Sequence, residues 1–319
     1  MNIIDNLIQE TIRKKNPTVV GLDPDFKKIP KCYKELIESN GDEREQVSNI
    51  IYQFNRDIID TVHTLVPAVK PQIAFYEKYG APGILAFEKT VQYAHSKNLI
   101  VIEDGKRNDI GNTALAYAQA HLGVVEVLSG KSVPSIDVDF LTVTPFLGSD
   151  SIKPFIDICI NNNKGIFILV KTSNFGSGEI QDIQDNSGNT VSQLLAKNVS
   201  SYAKMFTGKT GYSSIGAVVG ATYPEEAKIL RKIMPISYFL VPGYGAQGGN
   251  ASDILPCFNE DGLGAIVNSS RGLLYSHMSE TVLNTCTKKE YLESVFNATK
   301  AMQQEIYNML KSNCSKMSY

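Results

Sequence analysis

Residues 103–113 read Glu-Asp-Gly-Lys-Arg-Asn-Asp-Ile-Gly-Asn-Thr and follow directly on the apolar run Leu99-Ile100-Val101-Ile102. Such a run reads as a strand that feeds a loop and then opens a helix. Side chains two apart in a strand share a face. Asp104 and Lys106 are therefore expected side by side, with Asp109 one loop-length on to complete a carboxylate–ammonium–carboxylate cluster. Flanking carboxylates favour the charged form of a lysine, which makes Lys106 a positioned proton donor rather than a nucleophile. Lys70, in Val69-Lys70-Pro71-Gln72, ends an earlier strand pattern. It is expected to pair with Asp104 on the neighbouring strand, a contact that would also orient a catalytic carboxylate. Lys171 ends another apolar run. A desolvated lysine there could form a Schiff base, but an ion-paired supporting role is the better reading.

A second group of residues points to an anion. The segment Pro242-Gly-Tyr-Gly-Ala-Gln-Gly-Gly contains G-x-G-x-x-G, the spacing of a dinucleotide fingerprint. It follows the seventh strand pattern, however, whereas the dinucleotide fold places that motif in its first β-α turn. Barrels of eight β-α units bind phosphate at the loops after strands seven and eight. Pro242, Gly243, Gly245, Gln247, Gly248 and Gly249 fall in the first of those loops, and Asn268-Ser-Ser-Arg271-Gly272 in the second. The planar fork of Arg271 suits phosphate. A glycine turn beside a surface salt bridge would look similar, but both features at the two expected loops favour a phosphate site. Asp23, in Gly21-Leu22-Asp23-Pro24-Asp25, could accept from ribose hydroxyls or cap a turn, and both readings stay open.

His63, His95, His121 and His277 form no metal-spaced pair and read as surface or packing residues. Neither a G-x-x-x-x-G-K-[ST] loop nor a G-x-S-x-G elbow occurs. The expected chemistry runs on charge and proton transfer, with no metal and no cofactor.

The elements that must position these groups are short apolar, β-branched runs at 18–22, 68–75, 99–102, 140–143, 165–170, 215–219, 238–241 and 265–267. Helical patterns fill most gaps, at 46–65, 83–96, 112–128, 149–160, 191–206, 224–233 and 288–310. Strands alternating with helices predict parallel β-α units, and eight such units close a (β/α)8 TIM barrel. A doubly wound open sheet alternates in the same way, but it gathers polar residues at one switch point. Here Asp23, Lys70, Asp104, Lys106, Thr144, Thr172, Ser173 and Arg271 fall at strand ends over most of the units, which favours the barrel. We read residues 1–319 as one α/β barrel domain with two insertions, 24–42 and 175–189. The first reads as a decorated surface loop. The second follows Lys171-Thr172-Ser173 directly and is placed to act as a lid.

The chain has 319 residues, 43% of them hydrophobic, and a formal net charge of −2. That balance gives no reason to expect nucleic acid or an anionic membrane as partner, and no apolar stretch is long enough for a membrane helix. The first ten residues are acidic and amphipathic and lack the basic region of a signal peptide. Five scattered cysteines, never as C-x-x-C, fit a reduced, cytoplasmic protein.

Taken in order, Gly21-Leu-Asp23-Pro, Lys70, Asp104-Gly-Lys106-Arg-Asn-Asp109-Ile-Gly-Asn-Thr113, Val170-Lys-Thr172-Ser173-Asn, Pro242-Gly-Tyr-Gly-Ala-Gln247 and Arg271 resemble the motifs of the orotidine 5′-monophosphate decarboxylase family. The ordered set, from residue 21 to 271, is far more specific than any single piece. The resemblance implies a cofactor-free homodimer on this barrel, converting orotidylate to uridylate and carbon dioxide. It implies that Lys106 protonates C6, that Asp104 lies beside the substrate carboxylate, and that Lys70 and Asp109 complete the charge network. It further implies that Asp109 and Thr113 reach into the partner subunit's site. Asp23 would bind ribose, Thr172 or Ser173 the pyrimidine edge, and Pro242, Gln247, Gly248 and Arg271 the phosphate end. Three other readings are carried forward. One is a magnesium-dependent sugar-phosphate decarboxylase or aldolase sharing D-x-K-x-x-D, another a Schiff-base aldolase using Lys171, and the third a non-catalytic nucleotide-binding barrel.

Overall fold

A computed structural model describes residues 1–35, 42–245, 250–275 and 279–319. Its strands, in chain order, are β1 (Thr18–Leu22), β2 (Ala68–Pro71), β3 (Ile100–Arg107), β4 (Val124–Glu126), β5 (Ser132–Pro134), β6 (Phe140–Val143), β7 (Gly165–Lys171), β8 (Ser213–Val219), β9 (Ser237–Val241) and β10 (Ala265–Ser269). Eight of them close a parallel barrel in the order β1-β2-β3-β6-β7-β8-β9-β10. The barrel expectation therefore holds over the open sheet, and each predicted strand has its counterpart.

The barrel strands have both faces covered, which is why they read as continuous apolar runs rather than alternating ones. Inward residues such as Val19, Ala68, Ile100, Ile102, Phe140, Phe167, Tyr238, Leu240 and Ile266 form one buried cluster. Outward residues such as Val20, Val69, Val101, Leu141 and Ile168 join a second cluster with the surrounding helices. The helix Ile3–Lys14 adds Ile4, Leu7 and Ile8 to the inner cluster. The Asp5 carboxylate accepts from the backbone amides of Lys209 and Thr210, at 3.0 and 2.9 Å, just before β8. Asn163, just before β7, accepts from the Ile3 amide at 3.1 Å. The helix thus seals the N-terminal end of the barrel and leaves the C-terminal end as the mouth.

Several predicted boundaries move, three of them with a change in what the segment forms. The second strand was expected to reach residue 75 but ends at Pro71, and Ala74–Glu77 forms a helical turn. The helix expected over 112–128 runs Gly111–Leu122. Beyond Gly123 the chain makes an antiparallel β4–β5 hairpin, whose strands are too short to carry a periodic signal. β3 runs on to Arg107, well past its apolar run, and Lys106 takes a left-handed φ of 45°. Among the described residues no helix is long and apolar enough to cross a membrane.

Candidate active site

A cleft of about 570 Å³ opens at the C-terminal ends of the strands. Asp23 enters it from the end of β1, Lys70 from β2, Asp104 and Lys106 from β3, Thr172 and Ser173 from just past β7. Pro242 and Gly243 line it after β9, and Asn268 and Arg271 at and after β10.

The Asp104 carboxylate sits between two ammonium groups. Lys70 Nζ donates to Asp104 Oδ2 at 2.8 Å, and Lys106 Nζ donates to Asp104 Oδ1 at 2.5 Å. Thr142, on the adjoining β6, donates its hydroxyl to Asp104 Oδ1 at 3.0 Å and accepts from the Lys106 amide at 3.0 Å. That second bond holds Lys106 in its left-handed conformation, so its side chain folds back beside Asp104. Burial alone would raise the Asp104 pKa, but the charges of Lys70 and Lys106 and their hydrogen bonds outweigh it and hold the carboxyl well below its ordinary range. Burial likewise disfavours the Lys70 ammonium, and the charges of Asp104 and Asp23 reverse that and raise its pKa. The Lys70 and Asp104 side chains are 4% and 14% exposed, whereas Lys106 is 48% exposed. All three line the cleft, and Lys106 is the most exposed of them.

Asp109 stands apart from this cluster within one chain, which corrects the expectation drawn from spacing. Past β3 the backbone turns at Ile110 (extended) and Gly111 (φ 54°). Asp109 Oδ1 accepts from the Ile110 amide at 2.8 Å, and neither Asp109 nor Thr113 lines the cleft. Thr113 is exposed on the helix that follows.

Asp23 is held by its backbone, whose carbonyl accepts from Tyr275 Oη at 3.2 Å. Burial raises its carboxyl pKa, with Lys70 opposing. Its Oδ1 is buried and has no hydrogen-bond partner among the described residues. Across the mouth, Lys171 is fully buried and paired with Asp182 and, at 2.9 Å, with Glu226, over the Tyr223 ring. Burial lowers its pKa, but these two carboxylates reverse the effect and keep it an ammonium. It ties down the segment after β7 and is not a free amine nucleophile. The Thr172 hydroxyl is engaged within that segment, accepting from Gln181 Nε2 at 2.9 Å and donating to Asn174 Oδ1 at 2.6 Å. The Ser173 hydroxyl has no hydrogen bond among the described residues and faces the cleft.

Gly176, Ser177, Ile180 and Gln181, from the second insertion, also line the cleft. None of the described residues of the first insertion does. After β9, Gly243 and Gly245 take φ values of 98° and 73°, which open the turn as the glycine pattern requires. Gln247, Gly248 and Gly249 lie outside the described residues, as does His277. Arg271 is exposed at the start of the short helix Arg271–Leu274 and lines the cleft.

Sequence reasoning missed the support behind β3. Glu103 is fully buried, and its Oε2 lies 2.7 Å from His121 Nδ1. Arg107 reaches His121 Nε2 at 3.3 Å and Glu77 at 2.5 Å. The signal was present: Glu103 immediately precedes Asp104, so it points to the opposite, helix-facing side and needs a partner there. Thr142 was also missed, inside the otherwise apolar β6, and Asn268, expected in the loop after the eighth strand, lies within β10. Among the described residues no group of three His, Cys, Asp or Glu side chains is placed to hold a metal ion.

Lysines and aspartates converging at the C-terminal mouth of a closed parallel barrel place the chain among the (β/α)8 barrel enzymes. Residues 19–285 match the model of the orotidine 5′-phosphate decarboxylase / HUMPS family. An orotidine 5′-phosphate decarboxylase of Rhodopirellula baltica is 41% identical over 306 residues, covering 96% of this chain and 99% of that one. One from Caldicellulosiruptor bescii is 40% identical over 296 residues, covering 92% and 96%. The solved structure of Leishmania donovani OMP decarboxylase superposes with a TM-score of 0.72 at 25% identity, covering 98% of this chain and 100% of that chain. The chain belongs to the orotidine 5′-phosphate decarboxylase family.

Proposed function

We propose that this chain decarboxylates orotidine 5′-monophosphate to uridine 5′-monophosphate, the last step of de novo pyrimidine synthesis, without metal or cofactor. The observation that carries the proposal is Asp104 held between buried Lys70 and half-exposed Lys106 at the mouth of the barrel. In the reaction the bond from C6 to the carboxylate breaks, carbon dioxide leaves, and the electron pair stays on C6. That pair lies in the ring plane, where the π system delocalises it poorly. Lys106 stabilises it as an ammonium already in position and then transfers its Nζ proton to C6. The neutral amine regains a proton from solvent. Asp104 orients Lys106 and faces the departing carboxylate, and Lys70 keeps Asp104 ionised. No single lysine supplies the roughly 8–23 kcal/mol by which enzymes lower barriers. Binding of ribose by Asp23, of the pyrimidine edge by Ser173, and of phosphate by Pro242, Gln247, Gly248 and Arg271 supplies the energy that closes the site.

Asp109 and Thr113 enter this reading through a homodimer, each reaching the partner's cleft. Support comes from the face around them, where Ile110, Leu115, Tyr117 and, on the hairpin, Leu128 are exposed apolar side chains. The whole chain works as one barrel domain in the cytosol, where its five free cysteines stay reduced.

The test is the ultraviolet absorbance change of orotidylate mixed with the protein in EDTA, beside Lys106→Ala. Turnover by the parent in chelator, with at least a thousandfold loss in the variant, is the expected result. A parent that binds uridylate without turnover leaves a nucleotide-binding barrel. Turnover abolished by EDTA and restored by magnesium moves the chain to metal-dependent chemistry.

A further inference from the structure

Asp104 and Lys106 ride on an irregularity of β3. Glu103 is in register with Leu141 of β6 and Arg107 with Val143, so β3 takes four steps where β6 takes two. The surplus residues leave the ladder as a bulge, a distortion that re-aims side chains beside active sites. On its inner side the bulge is held by Thr142, which bonds both the Lys106 amide and the Asp104 carboxylate. Its two ends, Glu103 and Arg107, meet one residue on the outer side, His121 of the helix Gly111–Leu122. An arginine N–H only donates. Arg107 Nε, 3.3 Å away, therefore makes His121 Nε2 an acceptor, and the ring proton sits on Nδ1, which donates to Glu103 Oε2 at 2.7 Å. Glu103 Oε1 is buried with no hydrogen-bond partner, so among the described residues His121 alone bonds that carboxylate. A Cβ on Gly105 would come within 2.8 Å of Oε1, so glycine in the middle of the bulge leaves the carboxylate its room. Arg107 also reaches back to the Gly105 carbonyl at 3.3 Å and across to Glu77 on the helical turn after β2.

We infer that His121 is a positioning residue for Lys106: by joining the two ends of the bulge from behind, it fixes where the Lys106 ammonium stands in the cleft. The inference rests on the decarboxylase reading for its substrate. No step of the reaction passes through the imidazole. Lys106 is half exposed, and Asp104 is the one ion-pair partner of its side chain among the described residues. Its place therefore depends on the backbone that carries it. Thr142 fixes that backbone from the cleft side, and the Glu103–His121–Arg107 bridge fixes it from the helix side.

The experiment compares the parent with Arg107→Met and with a double variant, Glu103→Met and His121→Leu. The double variant replaces both buried partners by apolar side chains, so no carboxylate is stranded and the fold is kept. Three quantities are read: kcat for orotidylate, affinity for uridine 5′-monophosphate, and affinity for 6-hydroxyuridine 5′-monophosphate. The C6 oxygen of the last ionises and meets Lys106 where the carbanion would. A reacting group misplaced by about 1 Å costs about a hundredfold in rate, so both variants should lose about ten- to a hundredfold in kcat. Both should bind uridylate nearly as the parent does, and their preference for the 6-hydroxy nucleotide over uridylate should shrink by about tenfold. A kcat and a preference equal to the parent's overturn the inference. Equal weakening of both nucleotides with a lowered melting temperature also overturns it, since His121 would then serve the fold alone. If the parent fails to turn over orotidylate, the decarboxylase reading falls, and the preference between the two nucleotides still decides the role of His121.

Discussion

Two lysines contact one carboxylate at nearly the same distance, and they should couple to it with different strengths. Lys70 and Lys106 lie 2.8 and 2.5 Å from Asp104, but their side chains are 4% and 48% exposed. Charges 4 Å apart attract by roughly 4 kcal/mol at an effective dielectric of about 20 and by about 1 kcal/mol in water. Removing Asp104 leaves Lys70 desolvated and unpaired, the situation that costs about 3–5 kcal/mol in buried pairs. Lys106 can swing into water and should lose no more than about 1 kcal/mol. Double-mutant cycles with Asp104→Asn, Lys70→Met and Lys106→Met test this through urea unfolding at neutral pH. Far-ultraviolet circular dichroism is the natural probe, since the chain has no tryptophan. We expect a coupling of about 3 kcal/mol for Lys70–Asp104 and about 1 kcal/mol or less for Lys106–Asp104. A Lys106 coupling equal to or larger than that of Lys70 would refute the reasoning. The Asp104 pKa is depressed from 3.8, so its contribution is fully present above the ordinary carboxylate range and is lost as pH falls through the depressed value. The stability gap between the parent and Asp104→Asn should therefore narrow in acid.

Lys171→Met should destabilise the chain by no more than about 1 kcal/mol in urea, because Asp182 and Glu226, 43% and 36% exposed, can turn to water once the buried ammonium is gone. Since the Lys171 pKa is raised, its stabilisation is present below the unfolded value of 10.5 and fades as pH rises through the folded one. A parent–variant gap that grows with alkali would contradict this. Ser173→Ala should lower kcat/KM about tenfold with an unchanged melting temperature, whereas Thr172→Val, which frees Gln181 and Asn174, should lower the melting temperature by about 2–4 °C. The opposite pattern would exchange their roles. Ile110→Glu combined with Leu128→Glu should shift sedimentation from dimer to monomer and remove turnover together; an active monomer would rule out a shared site.

The barrel was readable because its eight strands are buried on both faces and therefore read as short, mainly apolar runs between helical patterns. The cleft was readable because lysine and aspartate at strand ends have few structural uses there. Three features escaped. The hairpin strands have three residues each, too few for periodicity. Lys106 reaches Asp104 through a left-handed residue fixed by Thr142, a tertiary contact with no local signature. Asp109 was misplaced because spacing along a chain gives reach but not direction. Its carboxylate instead caps the next backbone amide, that of Ile110. His121, read only as a surface or packing residue, is bonded to Glu103, which was overshadowed by the more conspicuous aspartate beside it.

The helix that seals the barrel floor precedes every strand of the barrel in the chain and is among the last elements to be secured. Asp5 is anchored 205 residues downstream by Thr210, and Asn2 is bonded to Ser214 a further few residues along. Until β10 has been made and paired with β1, Ile4, Leu7 and Ile8 have no closed lumen to enter. The nascent chain must therefore carry an exposed apolar helix through most of its synthesis, a period in which such surfaces invite misassociation. Contacts of such sequence separation also slow folding, so closing the floor should be a late step, and yield in cells should be more sensitive to changes at Ile4, Leu7 or Ile8 than the stability of the finished barrel would suggest.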